Sequence, residues 1–340
     1  MGWRWSQVQI LSPRPSELVC LAAPRGPNPG ASPFHPEILD PHVTDIGYIL
    51  AASAARHLPR WASDTLAVAV ADLCVLSHPG RTRAVDRRLR RVWSESGAVG
   101  PIPTARETHR AFARALRDFL AADARARNAP RVRLDEEARG ILREARASGR
   151  STLLVSGHFG PWELALQWLA REVGSVDALA QVHRLSAVER FFAARRAAFG
   201  VRTLSADRPA SAALARLRAG GWIAALVDRG ARRRAHPTGA EDHAGGPALV
   251  RVDPAPLFLA RRASAQVLAG VAWRAPDGEV EVRFHPAFSI EPCGGGIALS
   301  LAEARLQGFF EAHVRAHPTQ WFDWSPWPPR AAAAGDPSEG

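Results

Sequence analysis

Residues 152–163 read TLLVSGHFGPWE, and this stretch decides the fold. Residues 152–156 form a short apolar run, the length of a strand buried on both faces of a sheet, and the run stops at Gly157. Pro161 suits a first helical position, where its fixed φ is pre-organised and its missing N–H has no partner to lose. A buried strand that passes through a glycine loop into a helix is one unit of a parallel α/β sheet. His158 is thereby placed at the carboxyl end of a strand, where such sheets gather their chemistry. Glu163 falls in the first turn of the following helix. A tight loop from Gly157 to Gly160 turns the imidazole back toward that turn, so Glu163 is expected to accept the ring N–H and leave the other nitrogen as a base. The plainer reading is that a first-turn glutamate is favourable through the helix dipole alone and that a loop histidine is a surface residue.

Outward from this segment the texture is consistent. β-rich runs at 152–156, 176–182, 201–204, 222–228, 266–273 and 280–284 alternate with helical patterns near 161–171, 187–199, 210–219 and 254–262. The alternation predicts an α/β core over residues 150–330: a mainly parallel central sheet flanked by helices, with an antiparallel pair toward the end. Residues 41–149 read instead as a helical region. Ile46, Ile49 and Leu50 share a helical side before Pro59, and a second apolar helix follows from Trp61 to Leu76. These two helices are expected either to contact membrane or to pack on the core. Near residues 83–93, Val85, Leu89 and Val92 lie on one face, leaving Arg87, Arg88, Arg90 and Arg91 to a solvated face or to lipid phosphate. Thr104 with Glu107 forms a capping-box signature, and Asp135 caps a helix that ends at Gly149. Residues 1–40, rich in Pro, Gly and Ser, are expected to be a disordered leader or translated sequence upstream of the true start, and 331–340 a loose tail.

The formal net charge of +11 favours anionic partners, but all 44 basic residues counted as Lys or Arg are Arg. An absence of Lys beside abundant Ala points to compositional bias, so only the sign of the charge is informative. Cys20, Cys74 and Cys293 lack any metal-binding spacing, so no metal and no cofactor are expected. The run at 46–55 is too short to span a bilayer, which makes any membrane contact peripheral.

The segment VSGHFGPWE resembles the His-x4-acid motif of the lysophospholipid acyltransferase superfamily, in the branch of the lauroyl and myristoyl acyltransferases of lipid A biosynthesis. Further matches follow in order: Arg196 three residues before Phe199-Gly200, a strand ending in Asp228, Gly246-Pro247 before Ala255-Pro256-Leu257, and HVRAHPTQWFDW at 313–324. The resemblance covers roughly residues 45–330 and implies a glycerol-3-phosphate acyltransferase-like fold. It also implies direct transfer of a fatty acyl group from acyl carrier protein or coenzyme A to a glycolipid hydroxyl, a lipid A precursor first of all. His158 and Glu163 are then the catalytic residues, with Arg196, Arg184 and Asp228 binding substrate. The implied location is peripheral, at the cytoplasmic face of the inner membrane, in contact with anionic lipid. Two departures bear on the acceptor site: Asp228-Arg229 stands where the family often has Asp-Gln, and Gly245-Gly246 where it has Phe-Gly.

Within the enzyme class, a phosphatidylinositol mannoside is an alternative acceptor. Outside it stand a basic nucleic-acid-binding protein and a non-catalytic lipid-binding relative. No recognised nucleic-acid motif supports the first, and the presence of both His158 and Glu163 disfavours the second. A covalent acyl-enzyme is disfavoured because the chain has no GxSxG elbow and no cysteine near the motif.

Overall fold

A computed structural model describes residues 41–122, 131–179, 186–204, 209–228, 249–291 and 295–324. Its strands are β1 (Val132–Arg133), β2 (Thr152–Ser156), β3 (Val176–Ala178), β4 (Val201–Thr203), β5 (Trp222–Leu226), β6 (Gln266–Arg274) and β7 (Val280–Ser289). They join in one sheet of order β1-β7-β6-β2-β5-β3-β4. All pairings are parallel except β6 with β7, the antiparallel pair expected from sequence. β2 lies between β5 and β6, so its backbone is bonded on both sides and Leu153 and Val155 are fully buried. In register, Ser156 pairs with Leu226 at the ends of β2 and β5. The residues two beyond those ends, His158 and Asp228, are therefore neighbours.

The helices are α1 (Pro41–His57), α2 (Arg60–Ser77), α3 (Pro79–Ser96), α4 (Ala105–Ala121), α5 (Glu136–Ala147), α6 (Trp162–Val173), α7 (Ser186–Ala197), α8 (Pro209–Arg218), α9 (Ala255–Ala263) and α10 (Gly295–Ala316), the last followed by a 3-10 turn at Pro318–Gln320. α6 to α9 occupy the expected positions. α10 and the two-residue β1 are additions, and β7 runs to Ser289, past the expected end at Phe284. Thr104 caps α4 through a complete capping box with Glu107, and the Asp135 carboxylate accepts the Ala138 N–H at the start of α5.

The first helix packs through Tyr48 and two alanines. Tyr48, Ala52 and Ala55 of α1 meet Phe119 of α4 and Phe192 of α7. The large apolar residues of α1 and α2 face outward, with Trp61 74% and Leu76 77% exposed and Ile49, Leu50, Leu66 and Leu73 also exposed. No helix among the described residues is long and apolar enough to cross a membrane. Two aspartates of α2 fasten it to α4. Asp72 accepts paired hydrogen bonds from Arg106 and Arg110, which hold its carboxyl well below the usual carboxylate range. Asp64 is bound by Arg114 and Arg117.

One arginine of the cluster on α3 departs from the sequence reading. Arg88 is buried, donating to the carbonyls of Trp321 and Asp323 and lying over the Trp321 ring. An arginine among Val85, Leu89 and Val92 can be inside only where its donors are matched, and the backbone after α10 supplies those acceptors.

Candidate active site

The loop after β2 is shaped by two glycines. A Cβ on Gly157 would lie 2.3 Å from the Phe159 ring and 3.0 Å from the Asp228 carboxylate. At Gly160, φ is +45° and a Cβ would lie 2.4 Å from the Ala272 carbonyl oxygen of β6. Side chains at either position would push the loop off the sheet. The loop is also stitched to residues 320–322. The Gly160 N–H donates to the Gln320 carbonyl at 2.7 Å, and the Phe322 N–H donates to the His158 carbonyl at 2.8 Å.

His158 is 2% exposed and faces Asp228 at the end of β5. Its Nδ1 lies 2.7 Å from Asp228 Oδ1, and its backbone N–H donates to Asp228 Oδ2 at 2.9 Å. Trp321 Nε1–H donates to the same Oδ2 at 3.0 Å. A carboxylate offers only acceptors, so Nδ1 carries a proton toward Asp228, and in the neutral ring the lone pair lies on Nε2. One buried carboxylate thus fixes the tautomer and tilt of His158 while Trp321 fixes the carboxylate. This is the arrangement of an oriented general base.

The expected partnership of Glu163 with His158 is not formed. Glu163 is in the first turn of α6, as anticipated, but it turns toward α7, where Arg196 grips it with Nη2 to Oε1 at 2.6 Å and Nε to Oε2 at 3.1 Å. The physical reason is the burial of Arg196, which is 0% exposed. A guanidinium keeps its charge, so in the interior it requires an anion, and the two-pronged carboxylate pairing satisfies both. Arg196, expected to bind substrate, is thereby a brace between α6 and α7. Asp228, also expected at the substrate, is the residue that holds the imidazole. Arg184 lies outside the described residues, as do Arg229, Gly245, Gly246 and Pro247, the segments 1–40 and 331–340, and residues 180–182 of the expected third strand.

Trp321 is the contributor that sequence reasoning left without a role, and Arg88 one that it assigned to a solvated face or to lipid phosphate. Trp321 sits in the terminal block quoted above, but nothing in its spacing says that its indole meets a carboxylate at the end of β5.

Two apolar crevices lie beside Trp162, the residue packed against His158. Between α6 and the sheet, a narrow crevice is lined by Leu154, Leu166, Leu169, Leu226, Val271 and Phe284 among others. A second, narrower still, lies between α4, α6 and α7 against Phe112, Phe119 and Phe192. Trp162 forms part of both walls and packs edge-on against His158 with ring centroids 5.5 Å apart.

The fold is thus an α/β sheet whose carboxyl edge carries a buried, oriented histidine. Residues 32–324 match the family model of bacterial lipid A biosynthesis acyltransferases, and the chain belongs to that family. It is an acyltransferase of the lipid A type, a reaction that implies an acyl donor and a lipid acceptor. No curated protein matches the chain.

Proposed function

We propose that residues 41–330 form a single acyltransferase domain that moves a fatty acyl group from an acyl carrier protein or coenzyme A thioester to a hydroxyl of a lipid A precursor, with His158 as the general base. The observation that carries this reading is the His158–Asp228 pair. It orients an imidazole whose Nε2 can take a proton, and Trp162, packed edge-on against that ring, also lines two apolar crevices. The acceptor hydroxyl gives its proton to Nε2 as its oxygen bonds to the thioester carbonyl carbon. The carbonyl π pair moves onto oxygen, and collapse of the tetrahedral species breaks the C–S bond as the imidazolium returns the proton to the leaving thiolate. Asp228 stabilises the imidazolium, and the Glu163–Arg196 pair keeps α6 seated.

In the same reading the protein works peripherally at the cytoplasmic face of the inner membrane. The outward apolar residues of α1 and α2 enter the interface of anionic lipid, and the net positive charge adds attraction.

The test is His158→Ala, assayed with lauroyl-coenzyme A and a lipid A precursor in detergent. Transfer is expected to fall by about 10²–10⁴-fold, the usual contribution of a general base, in a protein that remains folded. Wild-type turnover in the folded variant would end the assignment.

A further inference from the structure

Trp162 carries a feature that the proton-transfer chemistry does not use. Its side chain is 93% buried, taking its 7% exposure from the whole, and its indole Nε1–H has no hydrogen-bond partner among the described residues. Buried N–H groups are almost always paired, because water lost on folding is otherwise not replaced. The Trp321 Nε1–H obeys that rule in donating to Asp228, whereas the Trp324 Nε1–H, like that of Trp162, has no partner among the described residues. Trp162 is also the residue that touches both crevices and the imidazole. Its ring is held by stacking on Phe112, with centroids 6.3 Å apart, and by a tilted contact with Phe322 at 5.9 Å. A buried donor set against the imidazole in an apolar surrounding, with no partner among the described residues, has the attributes of a group reserved for charge that appears only during reaction.

We infer that Trp162 is a catalytic residue whose indole N–H binds the thioester carbonyl oxygen and strengthens that hydrogen bond as the oxygen becomes an oxyanion, a conclusion that rests on His158 being the base. The acyl carbonyl then sits against Trp162, which forms part of both crevice walls. His158 Nε2 takes the proton of the attacking hydroxyl, and the Trp162 Nε1–H donates to the carbonyl oxygen, on which the displaced electron pair stays. When the C–S bond breaks, the oxygen reverts to a neutral ester carbonyl and the hydrogen bond weakens again. The first-turn position of Trp162 contributes as well, since the positive end of the α6 dipole lies where negative charge develops.

The experiment replaces Trp162 in the full chain with β-(3-benzothienyl)alanine, which keeps the bicyclic shape and exchanges N–H for sulfur, and in parallel makes Trp162→Phe. Transfer from lauroyl-coenzyme A to a lipid A precursor, and hydrolysis of lauroyl-coenzyme A with water as acceptor, are both measured. With the sulfur isostere, kcat is expected to fall about 10²–10³-fold, the loss seen when one oxyanion donor is removed, with KM for the thioester unchanged. The thermal midpoint of the isostere protein is expected to be no lower than wild type, because no partner is orphaned. An isostere that turns over at the wild-type rate overturns the inference, and so does a rate loss that merely follows a lowered midpoint. His158→Ala in the same assays separates the two claims. If it is inactive while the isostere is fully active, only the role of Trp162 falls. If His158→Ala retains transfer, the base assignment falls and the Trp162 role falls with it.

Discussion

In α1 and α2 the large apolar side chains Ile49, Leu50, Trp61, Leu73 and Leu76 face outward, whereas around the ends of β2 and β5 the charged or titratable groups His158, Glu163, Arg196 and Asp228 are buried. The two regions depart from ordinary inside–outside partitioning in opposite senses. Each departure has a cost, and each points to what the region meets. Exposed apolar surface is favourable where lipid replaces water. Buried charge persists where it is fully partnered, and around His158 the partners are geometric devices: a carboxylate for the ring, an indole for the carboxylate, a glutamate for the arginine.

The comparison breaks first, and by the largest amount, at the buried brace. Glu163→Gln replaces the buried carboxylate that Arg196 grips by a neutral amide, and unfolding free energy is expected to drop by about 3–5 kcal/mol, read from a urea midpoint. An unchanged midpoint would mean that the pair is not what seats α6 against α7. On the other region a smaller effect is expected. Trp61→Ser combined with Leu76→Ser removes two of the most exposed apolar side chains, each worth about 1.5–3 kcal/mol when taken from water, so partition onto anionic vesicles is expected to fall by about tenfold or more. Binding by the unaltered protein should also weaken as salt rises, because exposed charges are screened. Sedimentation with anionic and neutral vesicles at two salt concentrations measures both. Equal binding by the double variant, or indifference to vesicle charge, would remove α1 and α2 from the membrane.

Much of the fold was legible because hydrophobic periodicity is a local property. The run at 152–156, the Thr104–Glu107 box and the Asp135 cap each announce themselves within a few residues and appear as read, whereas Pro161 stands one residue outside its expected place, as the N-cap of a helix that begins at Trp162. α10 was not legible. It opens on Gly295 and Gly296 and carries Gly308 within it, residues of low helix propensity, and its packing against the sheet outweighs that deficit. Half of the dyad was legible too, since His158 at the end of β2 follows from local pattern. Its partner was not, because Asp228 reaches it through the register of β2 with β5 across 70 residues, and register is a tertiary fact. Glu163 was the nearest carboxylate in sequence, but only coordinates reveal that a fully buried Arg196 claims it. The inward turn of Arg88 is hidden for the same reason, its acceptors lying more than 230 residues away.

The most direct test of the dyad is kcat for Asp228→Asn, set beside Glu163→Gln and normalised to folded protein by circular dichroism. Asp228 accepts from the ring, the His158 backbone and Trp321. An amide cannot accept all three and can present its own N–H to Nδ1, which would favour the wrong tautomer. The expected result is a loss on the order of 10⁴-fold for Asp228→Asn, as in other oriented histidine bases, against a much smaller change for Glu163→Gln. A folded Asp228→Asn protein with near wild-type turnover, or a larger loss in Glu163→Gln, would contradict the assignment of Asp228 as the residue that holds the base.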